Sequence, residues 1–129
     1  MKKILILLIM MLLSLTMLSQ KKKEIYFQMK FANAINADTE VVLEDNSRVD
    51  ILSNTYAIEV DFAKKWAESI GQSLFYAEMT GKKPAILLIT DSKLESDDKC
   101  LVRLLKVAKI YHIVVWTIDY DTDKFHLIN

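Results

Sequence analysis

The sequence predicts a three-layer α/β/α domain on a mixed central sheet, in the order αβββαβαβ. Three observations carry this. Three short β-rich runs lie between residues 40 and 62 with only turn-length gaps, which calls for an antiparallel meander. From residue 63 onward, helical and strand patterns alternate, as in parallel strands covered by helices. Residues 85–90, AILLIT, form a continuous apolar run, as expected for a strand buried on both faces.

The chain has 129 residues, room for one domain, and a formal net charge of zero. Its single cysteine, Cys100, excludes an intrachain disulfide framework and reads as a small buried hydrophobe. Residues 1–20 read as a targeting segment. Lys2 and Lys3 precede an apolar stretch that ends near Leu18, short for a membrane span of about twenty residues. The site near Ser19-Gln20 is a poor cleavage site, so an exported protein and one held at the membrane by an uncleaved anchor both stay open. Taking Lys2 and Lys3 from the 17 basic residues leaves 15 against 17 acids, a balance that argues against a tight duplex binder. Lys21, Lys22 and Lys23 then mark a solvated boundary, and the single domain is expected over residues 21–129.

Residues 24–36 carry helical spacing through Ile25, Met29, Ala32 and Ile35, with an end at Asn36-Ala37-Asp38. Residues 40–43 form a short strand, and Glu44 to Ser47 a turn. Residues 49–52 and 56–62 are strands separated by Ser53-Asn54-Thr55. A helix over 63–80 stops at Gly81, with Pro84 just beyond. Trp66, Ile70, Leu74 and Ala77 give it an apolar stripe, and Lys65, Glu68, Gln72 and Tyr76 a polar one. After the strand at 85–90, Ser96 is placed to cap a second helix with Asp97 and Asp98 in its first turn. A strand is expected over 111–118, then an acidic turn and a closing hairpin over 124–128. Asp119, Asp121 and Asp123 have the spacing of a calcium loop without its glycine or distal glutamate, so they read as a solvated turn. His112 and His126 stand alone, without ligand spacing.

The chemistry concentrates between Arg48 and Tyr76. Alternation along a strand puts Glu59 and Asp61 on one face, and hairpin pairing brings Asp50 beside Glu59. Carboxylates on neighbouring strands repel unless a cation sits between them, which points to a metal site. Asp50, then Glu59 after a short hairpin, then a helix with Gln72-x-x-x-Tyr76 resembles the PD-(D/E)XK nuclease superfamily, in particular its RecB-type members. The resemblance covers residues 27 to 116. It implies a restriction-endonuclease-like αβββαβ core, with Asp50 and Glu59 as ligands of Mg²⁺ or Mn²⁺ and the Val60 carbonyl nearby. It also implies an upstream acid, for which Glu40 is the candidate with Glu44 behind it. The superfamily's lysine two residues after the glutamate is replaced by Asp61, which can add a ligand or orient water. Lys65, or Lys64, would bring the amine from the helix, while Gln72 and Tyr76 position lysine, water or substrate. Lys64, Lys82 and Lys83 are candidate phosphate contacts. The function implied is metal-dependent cleavage of nucleic acid. The alternative is an exported module that keeps the fold without catalysis and recognises a protein or the envelope, with Asp50 and Glu59 paired to Arg48 and Lys65.

Overall fold

The computed structural model describes residues 21–129, so the targeting segment expected over residues 1–20 lies outside the described residues. Helix α1 (Glu24–Ile35) leads into strands β1 (Asp38–Val42), β2 (Arg48–Leu52) and β3 (Tyr56–Phe62). A 3-10 turn (Ala63–Lys65) opens helix α2 (Trp66–Thr80), followed by β4 (Lys83–Thr90) and helix α3 (Glu95–Tyr111). The chain closes with β5 (Val114–Asp119) and β6 (Phe125–Leu127). The six strands lie side by side in chain order. β1, β2 and β3 form the antiparallel meander, β3, β4 and β5 run parallel, and β6 returns antiparallel. The architecture is the expected three-layer α/β/α, with one more strand than the αβββαβαβ order because the closing hairpin forms.

Both crossover helices cover the same sheet face, as successive crossovers moving in one direction require. There Ile86, Leu88 and Val115 pack with Leu104 and Ala108 of α3, and Trp66, Ile70 and Leu74 of α2 border them. The opposite face carries Ile58, Val60, Leu87 and Ile118 under Phe27 and Phe31 of α1. Leu87 is fully buried between Val60 of β3 and Trp116 of β5 in the strand register. Leu87→Ala should cost about 2–5 kcal/mol, from lost transfer energy and the cavity left behind. A urea melt reads this as a lower midpoint with an unchanged slope.

Several boundaries differ from the sequence reading, each for a local reason. Tyr111 belongs to α3, not to the strand. His112 ends that helix in the left-handed region (φ 54°), and the Ile113 N–H returns to the Ala108 carbonyl. The helix starts at Glu95 with Leu94 at its N-cap, so Ser96 does not cap it. Instead Asp97 accepts the backbone N–H of Asp91 at 2.9 Å, fastening the loop before the helix. Pro84 falls inside β4, as its second residue. The end of α2 follows expectation: Gly81 has φ 66°, where a side chain would be strained.

The acidic turn is not merely solvated. Asp119 accepts N–H and O–H bonds from Thr122 and an N–H bond from Ser92, which hold its carboxyl well below the usual range. Asp123 receives Lys22 and Lys30 at 2.9 Å each and the Tyr26 hydroxyl at 2.7 Å. Burial opposes its ionisation, but hydrogen bonds from Lys30, Tyr26 and Lys22 outweigh it and lower its pKa to about 2. Lys22 also donates to the Tyr120 carbonyl and lies over the Tyr26, Phe27 and Tyr120 rings. Within the lysine run, Lys22 is therefore a staple that ties the start of α1 to the turn before β6. His112 and His126 are exposed, and Cys100 is half-buried at the edge of the α3 core.

A candidate carboxylate site between β2 and β3

The site arises where the meander departs from regular pairing. Near the connecting turn, β2 and β3 pair at Ile51 with Ile58 and Leu52 with Ala57. One step further, the Val60 N–H bonds to the Asp50 carboxylate at 2.8 Å. A side chain thus takes up a donor that a regular ladder would give to the main chain. Across β2, Thr39 pairs with Ile51 and Val41 with Val49, and Glu40 between them has φ 54°. A non-glycine residue in that region costs on the order of 1 kcal/mol or more, and such strain gathers at functional sites.

Gln28 holds this distortion in place. It sits on α1 with only 2 % of its surface exposed and donates to Glu40 Oε1 at 2.9 Å and to the Asp50 carbonyl at 3.0 Å. Gln28→Leu keeps the approximate volume but removes both bonds, so a loss of about 1–3 kcal/mol is expected in chemical denaturation.

Four carboxyl groups meet here: Asp50, Glu59, Asp61 and, from the first turn of α1, Glu24. Glu59 and Asp61 are almost fully buried, at 4 % and 3 % exposure. Burial first, then the neighbouring Asp50 carboxylate, raises the pKa of Glu59 to about 9, with Asp61 and Glu24 adding to the effect. Burial and Asp61 raise that of Glu24 to about 7, against the pull of Lys65. Asp50 and Asp61 are also raised, chiefly by burial. Glu59 shares a hydrogen bond with Asp50, while its other oxygen, Oε2, is buried with no partner among the described residues. An orphaned buried acceptor is costly in a folded protein.

Cations are few and lie at the margin. Lys65 Nζ stands 3.7 Å from Asp61 Oδ1 with about half of its side chain in solvent. Arg48 pairs with Glu40 at 3.1 Å. The pairing of Asp50 and Glu59 with Arg48 and Lys65, expected for a module without catalysis, is therefore absent. Both lysine and arginine go to other acids. Glu40 is at the margin too, bound to Arg48 and Gln28, while Glu44 is exposed in the turn.

Helix α2 brings Tyr76 to the site. The hydroxyl pKa is raised by burial and then by Glu59 and Asp50, while Gln72 acts as a hydrogen-bond partner in the other direction. Gln72, Lys65 and Glu68 are exposed and Tyr76 is 8 % exposed, so the expected polar stripe is split. The line of α2 that meets the sheet is Ser69, Ser73 and Tyr76. The two serine hydroxyls bond back to the Lys65 and Ile70 carbonyls at 3.0 Å each, leaving small side chains against β3. Lys64 is exposed next to the site. Lys82 and Lys83 lie at the other end of β3, beside Tyr56, with Lys82 bonded to the Asn54 carbonyl, so they do not face these acids.

Hard carboxylate oxygens suit Mg²⁺ or Mn²⁺, and Glu59 Oε2 offers a ligand atom with nothing else to bind. Among the described residues no group of three or more His, Cys, Asp or Glu side chains closes around a common point. Side-chain rotation at Asp50, Asp61 or Glu24 is thus required for such a cation to be held. The sequence reading missed Glu24 and Gln28. Their signal was a polar pair four residues apart, with Gln28 adjoining Phe27 and on the face shared by Phe31 and Ala32. No family model, curated protein or solved structure matches the chain.

Proposed function

We propose that the protein is a divalent-metal-dependent phosphodiesterase acting on nucleic acid, of the PD-(D/E)XK type with its lysine displaced. The observation that carries this reading is the buried Glu59 carboxyl beside Asp50, with one oxygen unpartnered and no basic side chain on either acid among the described residues. Acids crowded in a buried site stay protonated until a bound cation compensates their charge, a pattern concentrated at functional sites. Asp50 and Glu59 would hold Mg²⁺ or Mn²⁺, with Asp61 and Glu24 completing or orienting the set; Glu40 supports the β1–β2 distortion instead. When bound, the ion supplies Lewis acidity and a more acidic water.

The chain's own residues do the rest. Deprotonated Asp61 accepts a hydrogen bond from the attacking water and turns it toward phosphorus. Lys65, held near Asp61, offers its ammonium to the charge that grows on the phosphoryl oxygens. Tyr76, oriented by Gln72, donates a hydrogen bond into the site. Lys64 lies where a phosphate beside the scissile one can be met. At the cluster itself an excess of acids repels the scissile phosphodiester until metal binding inverts the local charge, which makes cation binding a condition for placing that phosphate.

A second reading is an inactive nuclease-fold domain that binds a protein or envelope component outside the cytoplasm. The weak, solvent-exposed Lys65–Asp61 contact at 3.7 Å favours it, since no amine points firmly into the cluster. Both readings are compatible with export or an N-terminal membrane anchor, as residues 1–20 imply. Among the described residues no helix is long and apolar enough to cross a membrane. The deciding experiment is cleavage of labelled single- and double-stranded DNA and RNA by the full chain with Mg²⁺, Mn²⁺ or EDTA, beside Glu59→Gln. No cleavage with either metal would leave the second reading.

A further inference from the structure

Immediately beyond Asp61, the carboxyl ends of β3, β4 and β5 open into a pocket of about 350 Å³. This is where open parallel sheets place their ligands, and the volume is near the lower end for small-molecule sites, about 300–1,000 Å³. Phe62 and Tyr120 form one wall, their rings 6.5 Å apart between centroids, with Leu94 also lining the pocket. Lys21 and Lys64 also line it, and neither enters an ion pair among the described residues. Asp91 and Asp97 add carboxylate acceptors on the α3 side, each with one oxygen already bonded to a backbone N–H and the other left for a ligand. Aromatic faces, acceptors for exocyclic amines and cations for phosphate are the three parts that a nucleotide requires.

We propose that this pocket holds a single unpaired nucleotide adjoining the carboxylate cluster, so that the substrate is a single strand or a frayed end. The proposal rests on the phosphodiesterase reading and narrows its substrate. A pocket of this size takes one base and excludes a base pair. The zero net charge also gives the protein no overall excess of basic residues with which to grip an intact duplex. The two rings are tilted by 45°, so a base stacks on one of them, Phe62 or Tyr120, and this requires no particular sequence because every base presents a π-face. Lys64 joins the two sites, since it lines the pocket and follows Asp61 by three residues.

The test is ligand-observed NMR of the full chain in EDTA with deoxyadenosine 5′-monophosphate, against deoxyribose 5-phosphate as the baseless control. Saturation transfer to the base protons is expected, with the control binding at least tenfold more weakly. Leu94→Trp, an exposed position whose larger side chain fills the pocket, should abolish the transfer. Lys64→Ala should weaken binding about fivefold, the loss of about 1 kcal/mol for one phosphate contact. Equal binding of the baseless control, undiminished binding by Leu94→Trp, or no transfer at millimolar nucleotide would each overturn the proposal. Glu59→Gln separates the two readings: binding that survives in this variant while the parent fails to cleave leaves a nucleotide site without phosphodiesterase chemistry.

Discussion

Glu59→Gln will abolish the metal-dependent rise in melting temperature and lower metal-dependent cleavage by on the order of 10²-fold or more. The parent, at a Mn²⁺ concentration about 100 times its Kd, gains about 2.7 kcal/mol. For a domain of this size that corresponds to a shift of roughly 4–8 °C per kcal/mol, easily resolved in a melt. Glutamine retains the shape of the side chain and its ability to donate toward Asp50, but not the negative charge that draws a cation. The variant has a second signature. In EDTA at pH 8 it should melt above the parent, because it removes an acid whose ionisation is opposed by burial and by Asp50. A merely damaged fold would melt below it. A parent that shows no shift with Mn²⁺ or Mg²⁺, or a variant that retains the parent's shift, would remove the metal site from consideration.

Most of the sheet could be read from the chain because its residue patterns are simple. The β-branched and aromatic run at 56–62 and the unbroken apolar run at 85–90 are too short for core helices, and both form strands buried on both faces at the centre of the sheet. Asp50 and Glu59 were legible for the same reason: alternation and a short turn place them side by side. Less legible was anything set by contact between distant segments. Glu24 and Gln28 look like ordinary helix polar residues until α1 is laid over the meander, where Gln28 meets Glu40 and Asp50. Ser69 and Ser73 are poor hydrophobes, yet they take the innermost line of α2 because small residues let a helix lie against β3. The Lys22–Asp123 staple spans 101 positions in sequence, beyond any periodicity argument. The left-handed φ at Glu40 had no local signal either, since glutamate is not a turn former. These misses cluster at the site and at its supports, where local preference yields to a constraint from elsewhere in the chain.

The same acids set the expected dependence of stability on pH. Glu59 and Glu24 have folded pKa values raised to about 9 and about 7, above the ordinary glutamate value of 4.5. Between those limits the folded state binds more protons than the unfolded chain, so stability falls as pH rises. Their contribution is fully present below about 4.5 and is lost as pH climbs through about 7 and then about 9. At the acid end Asp119 and Asp123 act with the opposite sign. Their carboxyls are lowered by hydrogen bonds, so the stability they add is present above the ordinary aspartate range and lost as pH falls toward about 2. In EDTA the melting temperature should therefore peak near pH 5 and decline by several degrees toward pH 9, with about 1–3 kcal/mol lost across the cluster. Glu59→Gln should flatten the alkaline limb while leaving the acid limb unchanged. Metal reverses the slope, because a cation binds the deprotonated carboxylates and gains as protons leave them. The shift produced by Mn²⁺ should consequently be larger at pH 8 than at pH 5.5. A metal shift that is equal at both values would mean that the ion binds elsewhere, and a flat parent profile in EDTA would mean that Glu59 and Glu24 ionise as ordinary surface acids do.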